Sequence, residues 1–278
     1  MKWLRRNLLL LVAVAVLIYM LVPNLVVALF SFNDPVGRYN YTWQAFSADA
    51  WQHPCGAQGI CESLGLSLQI GLIASVVATI LGTAIAFALG RYRFRARSAT
   101  NLLIFMPMAT PEVVMGSSLL TLFLMMGVPA GRTAVTIAHI MFCISFVVVA
   151  VKARVATLDP RLEEAAADLG ANATQTFMRV TFPLAAPGIF AGALLAFSLS
   201  FDDYIITNFN ASPSSITFPM YVWGAAQRGA PVQVNVIGTM MFLIALFVVV
   251  VGQVFQNRRA RRGLTTPTPP PRGTPCTS

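Results

Sequence analysis

Six apolar runs, at residues 7–31, 64–90, 101–127, 133–151, 184–206 and 234–255, leave this chain few folds to choose from. Crossing about 30 Å of hydrocarbon takes about 20 residues of helix, and each run reaches roughly that length. The composition agrees: 56% of the 278 residues are hydrophobic and 10% are charged, where globular chains carry about a quarter charged residues. The expected fold class is therefore all-α, a polytopic membrane protein with six transmembrane helices. The run at 7–31 is longer than a signal-peptide core and lacks a small-x-small cleavage site, so it reads as a retained anchor. One membrane domain accounts for residues 1–262. The tail at 263–278, rich in Pro and Thr, reads as extended and disordered.

The net charge of +9 does not indicate a nucleic-acid partner, because the arginines sit between apolar runs instead of being interleaved with aromatics on one face. Their placement sets orientation instead. With the N-terminus inside, Lys2, Arg5, Arg6, the arginines at 91, 93, 95 and 97, Lys152, Arg154, Arg161, Arg179 and every arginine after 256 are cytoplasmic. Only Arg38, Arg132 and Arg228 are then outside. The chain reads as N-in and C-in. That topology puts Cys55 and Cys61 together in an outer loop, where a disulfide and a pair of free thiols are both compatible with the spacing.

Between the fourth and fifth runs lies a polar island, residues 163–183, within a cytoplasmic loop at 153–183. Asp159 before Pro160 marks a helix start. Leu162, Ala165, Ala166 and Leu169 recur at helical spacing as a narrow apolar face, with Glu163, Glu164 and Asp168 elsewhere on the wheel. Gly170 stops this helix. Asn172 followed by Gln175 caps a second short helix that carries Phe177, Met178 and Val180 and is expected to end at Pro183.

Glu164, Ala165 and Ala166, then Gly170, then Val180, Phe182 and Pro183 fall at the spacing of the EAA loop of ABC importer permeases, and the island resembles that loop. Val and Phe stand where the family usually has Ile and Leu. The resemblance implies a type I ABC importer permease with the MetI-like fold. It also implies a coupling surface for a cytoplasmic ATPase at Glu163, Glu164, Ala165, Ala166 and Gly170. No phosphate-binding loop exists in this chain: its only lysines are Lys2 and Lys152, and neither follows the required glycines. It is therefore expected not to be an enzyme and to need no cofactor, with ATP bound by a partner. The implied partners are two copies of that ATPase, a second permease chain, an extracytoplasmic binding protein and the lipid bilayer of a bacterial plasma (inner) membrane, with no nucleic acid.

His53 and His139 have no companions that would make a metal site or a catalytic triad, and His139 reads as a hydrogen-bonded core residue. Acids near the bilayer are more informative, since a mid-helix carboxylate costs about 2.5 to 3.5 kcal/mol to insert and is kept beside water, a partner or a solute. Glu112 follows Pro111 in the third run, and Asp202 and Asp203 lie near the outer end of the fifth. Successive helical residues point about 100° apart. Asp203 lies above Leu199, Ala196, Gly192 and Gly188, a packing stripe, so Asp202 is expected to be the more lumen-facing of the two. Residues 110–123 and 200–209 also resemble segments of spermidine/putrescine permease subunits, the polyamine branch of the family. This implies a solute path through Asp202, Asp203 and Glu112, with Tyr204, Tyr221 and Trp223 as cation-π partners. A sugar or an amino-acid derivative is the alternative solute. A secondary transporter using Glu112 and Asp202 as ion sites would call for an inverted repeat, which the sequence does not show.

Overall fold

The structure, a computed structural model, describes residues 2–37, 39–92 and 94–263, with side chains from 7 to 254. The tail beyond 263 lies outside the described residues. In chain order the helices are α1 (Lys2–Phe30), α2 (Asp49–Gln52), α3 (Ile60–Arg91), α4 (Arg97–Ala109), α5 (Glu112–Met125), α6 (Arg132–Val155) and α7 (Arg161–Asp168). They continue with α8 (Ala173–Thr176), a π-helical turn (Phe177–Thr181), α9 (Phe182–Asp202), α10 (Ile205–Asn210), α11 (Phe218–Arg228) and α12 (Val232–Gly263). Helices suit a chain destined for lipid, because they satisfy their backbone polar groups internally.

Among the described residues, five helices are long and apolar enough to span a membrane: Asn7–Phe30, Ile60–Arg91, Arg132–Val155, Ala173–Asp202 and Val232–Val254. The third apolar run differs from the others. Pro111 forces Thr110 into an extended conformation (φ −80°, ψ 131°), and α4 and α5 meet at a bend of 108°. At about 1.5 Å per residue, neither half crosses the hydrocarbon alone, so the count of six holds with this bent pair taken as one broken span.

The described chain forms two compact units, one of residues up to 57 with those from 229 onward, the other of residues 58–228. In the first, α1 packs on α12, and α1 is apolar on all sides, with Leu9 86% exposed. The loop that follows is built from polar contacts. Asn33 donates to Asn40 Oδ1 (2.6 Å) and Asn40 donates to the Phe30 carbonyl (2.8 Å), while Phe32 stacks between Phe46 and Trp51. Cys55 and Cys61 are each in disulfide form, and Cys143 is free and buried.

In the second unit α6 is the hub, packed against both α3 and α9. Small residues make this approach close. A Cβ on Gly82 of α3 would stand 2.8 Å from the Val147 side chain of α6. On α9, Gly192 lies against Val147 and Ala150, and Gly188 lies beneath the Arg154 stem. The expected α9 stripe is therefore a packing face, with Ala196 fully buried. Within the same unit α5 receives α10: Gly116 faces Phe209 and Ile206, and its carbonyl accepts from Asn210 (3.3 Å).

The polar island departs from expectation at its end. Pro183 does not terminate the second short helix; α8 runs through the π turn into α9 as one 30-residue helix. Proline lacks the amide that an α-helix needs. The wide turn re-routes the ladder, with the Phe182 amide donating to the Phe177 carbonyl.

Replacing Gly82 by Ala should lower stability by about 1–3 kcal/mol, since the added methyl meets Val147 and the Ile144 carbonyl. Heat unfolding of the purified protein in detergent measures this, and an unchanged midpoint would contradict the packing.

Candidate functional site

At one end of the second unit, α7 is held by its own sequence. Asp159 Oδ1 accepts from the Arg161 amide (3.0 Å) and opens the helix. Gly170, at φ 84°, closes it with paired bonds, Gly170 N to Ala167 O (2.9 Å) and Ala171 N to Ala166 O (3.0 Å), the arrangement of a Schellman cap. Asn172 and Gln175 exchange backbone and side-chain bonds in a complete capping box at the start of α8.

The two glutamates of α7 have different roles. Glu163 turns inward, where Oε1 meets Arg91 Nη2 of α3 (2.7 Å) and accepts from Thr181 Oγ1 of the π turn (2.6 Å). Glu164 is exposed, as are Ala165 and Gly170, whereas Ala166 is half-buried. Leu162 and Leu169 are exposed at 46% and 89%. The helix thus holds a half-buried carboxylate against α3 and leaves its leucines exposed, the reverse of a helix covering its own core. Beneath it lies a cavity of about 630 Å³ bounded by Phe87, Arg91, Glu163 and Phe177.

The opposite end of α9 carries the acids. Asp202 is exposed and Asp203 is turned into the protein, its side chain 5% exposed, as the 100° offset between successive residues requires. Asp203 Oδ2 accepts from the Thr207 amide and hydroxyl (2.8 Å each), and Oδ1 accepts from the Ile206 amide (3.3 Å), so the carboxylate caps α10. His139 of α6 joins this group: Nδ1 lies 2.7 Å from Ser200 Oγ, and Nε2 lies 2.9 Å from Thr207 Oγ1 and 3.3 Å from Asp203 Oδ2. His139 is thus the hydrogen-bonded core residue its position suggested. Its partners in α9 and α10, more than 60 residues away in the chain, leave no local trace in the sequence.

Of the expected aromatic partners, Tyr204 and Trp223 come together, with ring centroids 5.4 Å apart and Trp223 56% exposed. Tyr221, two residues before Trp223, points to another face of α11 and lines a separate cavity with Glu62 and Gln69. Burial raises the Tyr221 phenol above its ordinary value. Glu112 is exposed in the first turn of α5, just past the 108° bend, and no hydrogen bond or ion pair among the described residues joins it to the aspartates.

The profile of the family described as "Binding-protein-dependent transport system inner membrane component" matches residues 78–263. The chain belongs to that family. It is a permease of the ABC importer class, a transport protein and not an enzyme. Among its relatives, the Spermidine/putrescine transport system permease protein PotC of Escherichia coli (strain K12) is 31% identical over 247 residues, covering 89% of this chain and 93% of the relative. PotC of Haemophilus influenzae is 32% identical over 240 residues, covering 86% and 93%. The Putrescine transport system permease protein PotI of Escherichia coli (strain K12) is 35% identical over 230 residues, covering 80% and 81%. Among solved structures, a bacterial ABC transporter involved in the import of the acidic polysaccharide alginate shares the fold, with a TM-score of 0.63 at 19% identity over 91% of this permease and 97% of that chain.

Replacing His139 by Ala leaves Ser200 Oγ without its partner and removes one contact each from Thr207 and Asp203, which stay bonded to each other, and should cost about 1–3 kcal/mol. Denaturant unfolding in detergent checks the value, and a variant as stable as the parent would show that the cluster holds nothing together.

Proposed function

We propose that this permease forms half of the translocation pore of an ATP-driven polyamine importer in a bacterial inner membrane, paired with a second, similar permease chain. The observation that carries the reading is the kinship with the permeases named for spermidine and putrescine, over 80% or more of this chain. The geometry is consistent with it. A polyamine is a chain of ammonium groups, and the exposed Asp202 with the Tyr204–Trp223 ring pair supplies a counter-charge and aromatic faces. Glu112 adds a second exposed carboxylate. Asp203, occupied by His139 and Thr207, orders the end of α9 and is not left to bind solute.

On the cytoplasmic side, the exposed face of α7 carrying Glu164, Ala165 and Leu169 would seat in one of two ATPase copies. An extracytoplasmic binding protein would deliver the solute. Closure of the ATPases would carry α7 with it, and the Glu163 contacts to Arg91 and Thr181 would pass that motion to α3 and α9 together, switching the pore by rigid-body movement.

The test is uptake of labelled spermidine and putrescine into proteoliposomes holding the assembled transporter and its binding protein. Asp202→Asn should slow uptake about tenfold, the weight of one charge-assisted bond, with ATPase stimulation retained. Uptake of a sugar with none of a polyamine would overturn the solute assignment. Glu164→Arg, and Gly170→Val at its positive φ, should abolish coupled uptake and ATPase stimulation while the chain still folds. Coupling unaffected in both variants would remove α7 from the mechanism.

A further inference from the structure

The cavity that takes Tyr221 away from Tyr204 and Trp223 has no role so far. It holds about 600 Å³ at the start of α3, within the usual range of small-molecule sites. Its polar lining comes from Gln58, Glu62, Ser63, Gln69, Ser214 and Tyr221. Glu62 is the one charged side chain among the lining residues. The amide oxygens of Gln58 and Gln69 and the hydroxyls of Ser63 and Ser214 can accept hydrogen bonds, and Tyr221 offers a ring face.

An anion is the competing occupant, since helix N-termini attract negative charge. Here Glu62 sits in the first turn of α3 and offsets that partial charge itself, and no Lys, Arg or His lines the cavity. The Tyr221 ring also stands 3.8 Å from where a Cβ of Gly59 would be, so the glycine at the helix start brings α3 close to the aromatic wall. One carboxylate, several neutral acceptors and an aromatic face make up the recognition set of an organic ammonium group.

We propose that this cavity binds an ammonium group of the solute, with Glu62 as its counter-charge, at a station separate from Asp202. The proposal rests on the polyamine reading above. Nothing in the sequence marks it, because Glu62 stands at the edge of an apolar run like any interfacial acid, and its companion Tyr221 comes from α11.

Equilibrium binding of labelled spermidine to the purified complex of both permease chains and the ATPase, without the binding protein, tests it. Glu62→Gln should weaken binding about fivefold, the weight of a partly exposed ion pair, Glu62→Asp should restore most of the loss, and Tyr221→Leu should weaken binding independently. Glu62 is exposed, so the isosteric change leaves folding intact; should its complex nonetheless fail to assemble, Tyr221→Leu decides alone. Unchanged affinity in these variants, while the parent takes up spermidine with its binding protein, overturns this site and leaves the polyamine reading standing. Absence of polyamine uptake by the parent overturns both.

Discussion

The close contact of α3 with α6 is the constraint on which the rest of the second unit depends. In lipid, apolar side chains gain little by leaving their surroundings, so helices associate through packing that only small residues permit. Gly82 against Val147, and Gly188 and Gly192 against Arg154, Val147 and Ala150, bring three helix axes together around α6. Within that packing the hydroxyls of Thr79 and Thr83 of α3 are buried without a hydrogen-bond partner. His139, Ser200, Thr207 and Asp203 instead satisfy one another, and in doing so they set where α9 ends and α10 begins.

The same logic operates at the other end of α9. Glu163 is shared between Arg91 and Thr181, so α7 is joined to α3 by an ion pair and to the root of α9 by a hydrogen bond. A short helix of eight residues would not keep a fixed orientation alone. Held in this way, it can present an apolar face outward. The amphipathic pattern read in the sequence is present, and of its acids Glu163 is turned inward while Glu164 and Asp168 stay exposed.

Much of this was legible in the sequence because it rests on local rules. Run lengths located the spans, Asp159, Gly170 and Asn172 with Gln175 marked the turns of the polar island, and the 100° step separated Asp202 from Asp203. The misses share a cause. Pro183 reads as a helix stop when only its missing amide is considered, yet a wider turn can absorb that loss. Pro111 marks a break in the third apolar run, but a bend of 108° depends on what α5 packs against, namely α10 through Gly116. Glu163 was grouped with Glu164 because sequence spacing carries no information about Arg91, 72 positions earlier by the numbering. Tyr221 and Trp223 were grouped for their chemistry, although neighbours at a spacing of two face apart on a helix.

The π turn at Phe177–Thr181 also sets phase. A wide turn holds one residue more than an α turn, so every face of α9 is offset by one position from the count begun at α8. A periodicity carried unbroken from Ala173 to Asp202 would therefore misassign both ends. In length variation among relatives, a residue lost inside the wide turn would convert it to regular helix and leave both flanks in register. The same loss within α9 would rotate its end by about 100° and bring Asp203 out to the exposed position that Asp202 now holds.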